Sequence, residues 1–428
     1  MIRELMIPAA AVAALSAAIL AGPGAAADLL DPPVRLALLD TGGQAFGIAT
    51  DGALVLVSDH DAGLLLLDVA DPGAPAAGGL VDTPGFARNA VAAAPGLACV
   101  ADRAAGLHTV DTSNPDAPVI LGTLDTPGLA LAVATVRPGL VAVADRATGL
   151  LLVDVTDPAA PAVVGVADTP GLASDVAIAG DLAFVADVST GVRVIDIADP
   201  TAPAEVGAWD TAGLANAVAV EGDLCAVADG TGGLVLLDVT VPDAPQLLGA
   251  APSAGASTEV RLAGDVALVA DGAGGLAIVD IADPAAPVVV RRHATAGNAF
   301  HVDLVGDTAV VACGAAGVEM VAVFAPAVGV GDTRPGPAPP RLTAYPNPGN
   351  PRLVIAATLP RAGTATLDIV DPAGRRVRRL LHGHQPAGDL RATWSGHDDA
   401  GRPAPSGAYL AVLRSAGTVA SARLSLIR

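Results

Sequence analysis

The chain has 428 residues with a formal net charge of −21, and 52% of them are hydrophobic although only 2% are aromatic. That apolar content is enough for packed cores and excludes disorder over most of the chain, while 49 Gly and 35 Pro exclude a fold built on long helices. All basic residues are arginine, and the charge is uneven: residues 28–333 hold 9 Arg against 38 Asp and Glu, a net of −29, whereas residues 334–428 hold 13 Arg against 5 Asp, a net of +8. An acidic body of this kind repels phosphate backbones, which disfavours nucleic acid or an anionic membrane as its partner.

Residues 1–27 combine a short charged start with Arg3, an apolar run from Met6 to Gly22 and the small residues Ala25, Ala26 and Ala27. This is the pattern of a secretory signal peptide cut after Ala27, with a retained anchor as the alternative. No later stretch is long, uncharged and free of Gly and Pro, so no transmembrane segment is expected in the mature chain. Cys99, Cys225 and Cys313 lie in apolar segments without paired spacing, which reads as small core residues rather than a disulfide framework or zinc site.

From residue 28 to 333 the phrase GL-x-x-x-D-x-x-x-P recurs. Its glycines are Gly63, Gly106, Gly149, Gly191, Gly233, Gly275 and Gly317, spaced by 43, 43, 42, 42, 42 and 42 residues. One unit, 168–209, divides at its turns into the short apolar segments DVAIA, LAFVAD, GVRVIDI and PAEVGAW. These read as four antiparallel strands, and seven such units predict an all-β, seven-bladed propeller. Residues 32–43, PPVRLALLDTGG, match a fourth strand plus its following loop, so an N-terminal strand is expected to complete the last blade, with 327–333 as its competitor. The segments GLLLVDVTDPAAP at 149–161 and GLAIVDIADPAAP at 275–287 resemble the LVIVD repeat family of extracellular bacterial and archaeal proteins. The resemblance implies a propeller and an extracellular or surface location, without a common reaction.

Three sets of aspartates keep phase with the repeat: Asp59, Asp102, Asp145, Asp187, Asp229 and Asp271 after the second strand, Asp40, Asp82, Asp125, Asp168 and Asp210 in the loop before each unit, and Asp68, Asp111, Asp154, Asp196, Asp238 and Asp280 ending the third strand. A residue repeated in every blade serves what every blade shares, so these are expected to accept backbone N–H bonds in turns. Function is better sought where symmetry breaks. The innermost strands should start with Gly47, Asn89, Ala132, Asp175, Ala217, Glu259 and His301, converging at one channel mouth. Asn89, Asp175, Glu259 and His301 are the candidate ligand-binding residues, since their side chains suit calcium or a transition metal, or else form a solvated rim. Calcium-dependent propeller lactonases are similar in placing mixed Asn, Asp and Glu there.

Nucleophilic chemistry has little support: no G-x-S-x-G elbow or phosphate loop occurs, and His60, His108 and His293 are expected to stand alone. Glycan stacking is disfavoured because the propeller has only Trp209 and five Phe.

Residues 334–341, RPGPAPPR, read as a stiff proline-rich linker, and short β-like runs across 342–428 predict a small β-sandwich. There YPNPGNP at 345–351, DPAGRRVRRL at 371–380 and WSGHDDAGRPAPSGAY at 394–409 resemble the Ig-like domain of the flagellar hook-capping family and the related sorting domains of type IX secreted proteins, with Gly349 departing from the usual Phe. The resemblance implies export and contact with secretion or cell-surface attachment machinery. Trp394 and Tyr409 are expected to fill the core, His382 and His384 to share a strand face, and Arg375, Arg376, Arg378 and Arg379 to form a basic segment that docks on an acidic partner or anionic glycolipid.

The sequence thus favours an exported, non-enzymatic interaction scaffold of the outer cell surface of a Gram-negative-type bacterium, with an unidentified protein or surface ligand and no cofactor. The alternative is a calcium-dependent lactonase with Asn89, Asp175 and Glu259 as ligands and His301 as base.

Overall fold

The computed structural model describes residues 29–324, 342–345, 353–359, 363–370, 375–385, 388–398, 402–415 and 418–426. The expected leader at 1–27, the linker at 334–341 and the competing segment 327–333 lie outside them. The chain separates into two compact units, with the boundary between Ala327 and Val328. No helix among the described residues is long and apolar enough to cross a membrane.

The first unit is a ring of seven four-stranded antiparallel sheets. Strand β1 (Leu29–Leu39) comes first in the chain, and blade 1 follows as β2 (Gly47–Asp51), β3 (Leu54–Ser58), β4 (Leu64–Asp68) and β5 (Ala76–Val81). Blades 2 to 6 repeat this order as β6–β9 (89–124), β10–β13 (132–167), β14–β17 (175–209), β18–β21 (217–251) and β22–β25 (259–293). Blade 7 takes β26 (His301–Val305), β27 (Thr308–Ala312) and β28 (Val318–Phe324) from the end of the repeat, and β1 pairs with β28 as its outermost strand. The first strand of each blade packs on those of both neighbours, β26 against β2 included, so these strands line the central channel.

The burial pattern explains the sequence pattern. The second and third strands, such as LVLVS in β3 and LLLLD in β4, are buried on both faces because each sheet is sandwiched between two others. They therefore read as continuous apolar runs, and each fully buried Leu or Val contributes roughly 1.5–3 kcal/mol. The fourth strands are half-exposed, and their glycines let blades approach. A Cβ at Gly165 would overlap the Pro200 carbonyl oxygen of the next blade. The glycine of the repeated GL is needed for its conformation as well as its size. Gly149 sits at φ +84°, and a Cβ there would overlap the Ala167 carbonyl oxygen.

The aspartates behave as turn ligands, with one set as an exception. All six after the second strand are buried, and they accept hydrogen bonds from the loop preceding their own blade. Thr41 donates to Asp59 at 2.7 Å, Thr126 to Asp145 at 2.7 Å, and the Gly128 amide to Asp145 at 2.7 Å. All six at the end of the third strand accept the amide two residues on, as in Thr156 N–H to Asp154 at 2.8 Å. The loop aspartates are exposed instead, and among them Asp40 accepts from the Gly42 amide.

In blade 7, Cys313 stands where the other blades carry the buried aspartate. Glu319 on β28 supplies the missing carboxylate: fully buried, it accepts from the Ala296 amide at 2.8 Å, as Asp271 accepts from Ala254 in blade 6. Cys99, Cys225 and Cys313 are buried free thiols, each pushed up to about 12 mainly by burial. That is the core role their context predicts.

The second unit has two sheets. One orders β29 (Leu342–Tyr345), β30 (Leu353–Leu359) and β33 (Gly388–Trp394), and the other β32 (Arg376–Gln385), β31 (Gly363–Val370), β34 (Gly407–Ser415) and β35 (Thr418–Leu426). Leu353, Ile355, Leu367, Ile369, Trp394, Tyr409 and Leu413 form its core. Trp394 and Tyr409 meet edge to face at 5.0 Å, and their polar atoms donate to the carbonyls of His397 and Pro405. His382 and His384 fall opposite Thr366 and Thr364 in one register. The basic segment is partly engaged within the unit, since Arg379 pairs with Asp368 at 3.0 Å and Arg378 donates to the Asp398 carbonyl at 2.7 Å.

Candidate functional site

The seven expected mouth residues each begin an innermost strand, so Gly47, Asn89, Ala132, Asp175, Ala217, Glu259 and His301 share one end of the channel. Three of the four candidates meet. His301 Nε2 lies 3.2 Å from Glu259 Oε2 and 3.4 Å from Asn89 Nδ2. The Asn89 oxygen is used by the next blade, accepting from the Val133 amide at 3.2 Å. Asp175 is not in this contact group, because its Oδ2 accepts the Val218 amide at 2.9 Å. One layer deeper, Arg261 Nε and Asp303 Oδ1 pair at 3.1 Å.

Arg88, the residue before Asn89, controls the electrostatics of this mouth. Its guanidinium lies 5.3 Å from the centre of the Phe46 ring and acts on both Asp175 and Glu259. Burial pushes the Glu259 carboxyl well above its ordinary value, and the neighbouring Asp175 charge adds to this. Asp175 is raised by burial too. His301 is driven down to about 3, by burial first and then by Arg88 and Arg261. At neutral pH the histidine is therefore uncharged, and a Glu259 that keeps its proton can donate to it.

This arrangement fits a divalent cation poorly. Calcium needs several ionised oxygens turned toward one point, whereas here an Asp175 oxygen is turned to the Val218 amide, the Asn89 oxygen to the Val133 amide, and the Arg88 guanidinium acts on Asp175 and Glu259. Among the described residues, no group of three or more His, Cys, Asp or Glu is placed to hold a metal ion.

A second ring surrounds the mouth. The residue after each buried aspartate, or after Cys313, is bridged to the loop of the next blade and adopts a left-handed conformation. In blades 5, 6 and 7 it is Gly230, Gly272 or Gly314, where positive φ costs little. In blades 1 to 4 it is His60, Arg103, Arg146 and Val188, at φ +53°, +53°, +51° and +47°. Each of these carries strain of order 1 kcal/mol or more, so side chains are retained on one half of the ring at a cost to the fold.

Aromatic rings gather where the two halves meet. Phe300, Phe46, His60 and Phe86 follow one another across blades 7, 1 and 2 at centroid distances of 4.6, 5.2 and 4.5 Å. Phe86 is 46% exposed. Sequence reasoning missed this group because it rested on the first residue of each innermost strand, whereas Phe46, Arg88 and Phe300 precede that residue. Their repeat positions were the available signal.

The isolated histidines are not isolated. Fully buried His108 bridges Asp102 at 3.0 Å and Thr123 at 2.9 Å, and His293 contacts Glu319 at 2.6 Å. They are partners for the buried carboxylate of their own or a neighbouring blade, as Arg292 is for Asp271 at 2.6 Å.

Comparison with known proteins agrees with this architecture. Segments 42–83, 85–126, 139–169, 170–211, 212–251 and 254–295 match the LVIVD repeat, and residues 350–417 match the FlgD Ig-like domain. A search of curated proteins finds none whose sequence matches. Among solved structures, the β-propeller domain of Myceliophteria thermophila Cps50 (Swd1) is similar with a TM-score of 0.55 at 11% identity, covering 68% of this chain and 100% of that one. PorZ, an essential bacterial surface component of the type-IX secretion system of Porphyromonas gingivalis, is similar with a TM-score of 0.50 at 12% identity. That alignment covers 89% of this chain and 59% of PorZ. At such identities the likeness is one of fold. The six repeat matches span more than half of the sequence, and the chain belongs to the LVIVD repeat family, with a FlgD Ig-like domain following its propeller.

Proposed function

We propose that this protein is an exported, non-enzymatic scaffold of the outer cell surface, whose propeller mouth binds a partner and whose C-terminal Ig-like unit serves sorting or attachment. The observation that carries the reading is how the mouth is furnished: His301, Glu259 and Asn89 contact one another, and Arg88 offsets Asp175 and Glu259. Side chains engaged with one another in this way furnish the channel end as a mixed polar surface that a partner can cover. Export is supported by the leader-like residues 1–27, and surface handling by the resemblance of 342–428 to type IX sorting domains.

The test fuses residues 342–428 to a periplasmic reporter in a host that has a type IX secretion system. The reporter is expected outside the outer membrane. A reporter that stays in the periplasm removes the sorting role and leaves attachment only.

A further inference from the structure

Nine arginines serve an acidic propeller, and most are engaged. Arg35 pairs with Glu319, Arg193 with Asp210, Arg261 with Asp303 and Arg292 with Asp271. Arg103 and Arg146 are different: among the described residues no carboxylate pairs with either guanidinium, although the body holds 38 acidic side chains. Both are half-exposed at the mouth, in adjacent blades, on the strained left-handed positions where blades 5 to 7 carry glycine. Folding alone is better served by glycine there. Retained strain together with unneutralised charge points to a ligand.

The surroundings describe that ligand. Arg103 is bridged through its backbone to Ala130, between Leu129 and Leu131, and Arg146 to Ala173, beside Leu172. Exposed Phe86 and half-buried His60 extend the arc on one side, and Leu214, 51% exposed, lies in the corresponding loop of blade 5. The arc therefore alternates cations with apolar side chains. It has no Trp or Tyr platform on which a sugar ring would stack. A bilayer or nucleic acid carries extended negative charge that the net −29 body repels, whereas a short segment with a few carboxylates is matched by two guanidiniums at close range.

We propose that the arc formed by His60, Phe86, Arg103 and Arg146 docks an acidic peptide segment of a partner protein, with carboxylates on the two arginines and aromatic or aliphatic side chains between them. This deepens the scaffold reading and rests on it.

The test pans a random-peptide library over the immobilised full-length protein at low salt and measures the enriched peptides by fluorescence anisotropy. Enrichment of Asp or Glu alternating with Phe or Leu is expected, with affinity falling as salt rises. Arg103→Gly with Arg146→Gly installs the residue that blades 5 to 7 use. This pair should weaken binding by about tenfold or more, the loss expected of two charged contacts, with the melting temperature unchanged or higher. Arg137→Ala, which removes a charge at the opposite end of strand β10 (Ala132–Arg137), should leave binding intact. Peptides that bind the double variant as tightly as the wild type would overturn the docking site while leaving a scaffold in place. Failure to enrich any acidic peptide would overturn the peptide assignment itself, and neither result bears on the surface localisation tested by the reporter.

Discussion

Arg35 Nε lies 2.6 Å from Glu319 Oε1, joining residues 284 positions apart across the seam that closes the ring. The carboxylate is fully buried and also accepts from His293 and the Ala296 amide, so it ties three elements at once: β1, the last strand of blade 6 and the loop before blade 7. Its pKa is lowered, since the bonds from His293, Arg35 and Ala296 and the Arg35 charge together outweigh the opposing effect of burial. A carboxyl depressed in the folded state lends stability above its ordinary value of 4.5, and that stability is lost as pH falls through the folded pKa. Glu319→Ala, which strands the buried end of this network, is expected to cost about 3–5 kcal/mol at neutral pH. Chemical denaturation of the full chain reads it, and a loss below about 1 kcal/mol would mean that the seam is held by strand pairing alone.

Asp59 carries the opposite sign. Burial raises it to about 6, with Asp61 and Asp40 adding repulsion, and no cationic side chain plays the part of His108 or Arg292 in blade 1. A carboxyl raised in the folded state stabilises below its unfolded value of 3.8, and the benefit is lost as pH rises through about 6. Asp59→Asn should therefore raise stability at pH 7 by roughly 1–2 kcal/mol relative to wild type and show no gain near pH 4. Thermal melts at the two pH values measure this. An equal effect at both would locate the change in the Thr41 hydrogen bond rather than in charge.

His301 is expected to stay neutral through pH 5 and to titrate near 3. Its pKa is lowered on folding, so the stability it confers is present above 6.5 and is lost progressively as pH falls toward the folded value. The imidazole carbon-bound protons, followed by NMR and assigned through His301→Gln, give the pKa directly. Titration near 6.5 would mean that water reaches the ring freely.

Much of this fold is legible in the sequence because a propeller writes its geometry at a fixed period. Gly149 and its equivalents keep phase since each must turn where a Cβ meets a carbonyl, and PPVRLALLD carries the pattern of a fourth strand displaced to the start of the chain. The mouth residues Asn89, Asp175, Glu259 and His301 are also marked by phase. What phase cannot give is compensation between strands: Glu319 replacing the carboxylate lost at Cys313 lies on a neighbouring strand, six residues on. Nor can it give convergence across blades. Phe300, Phe46 and Phe86 are remote in the chain, and only the closing of the ring brings Phe300 against Phe46, and Phe46 and Phe86 against His60. Arg88 is hidden for a related reason, since its side chain acts on carboxyls from blades 4 and 6.

The central claim is the proposal that the mouth binds a partner protein rather than a calcium ion. Calorimetric titration of calcium into the full-length protein at pH 7 tests it most directly. No heat beyond dilution is expected, for the wild type and for Glu259→Ala alike. A stoichiometric calcium heat that disappears in Glu259→Ala would contradict it and put the hydrolase reading in its place.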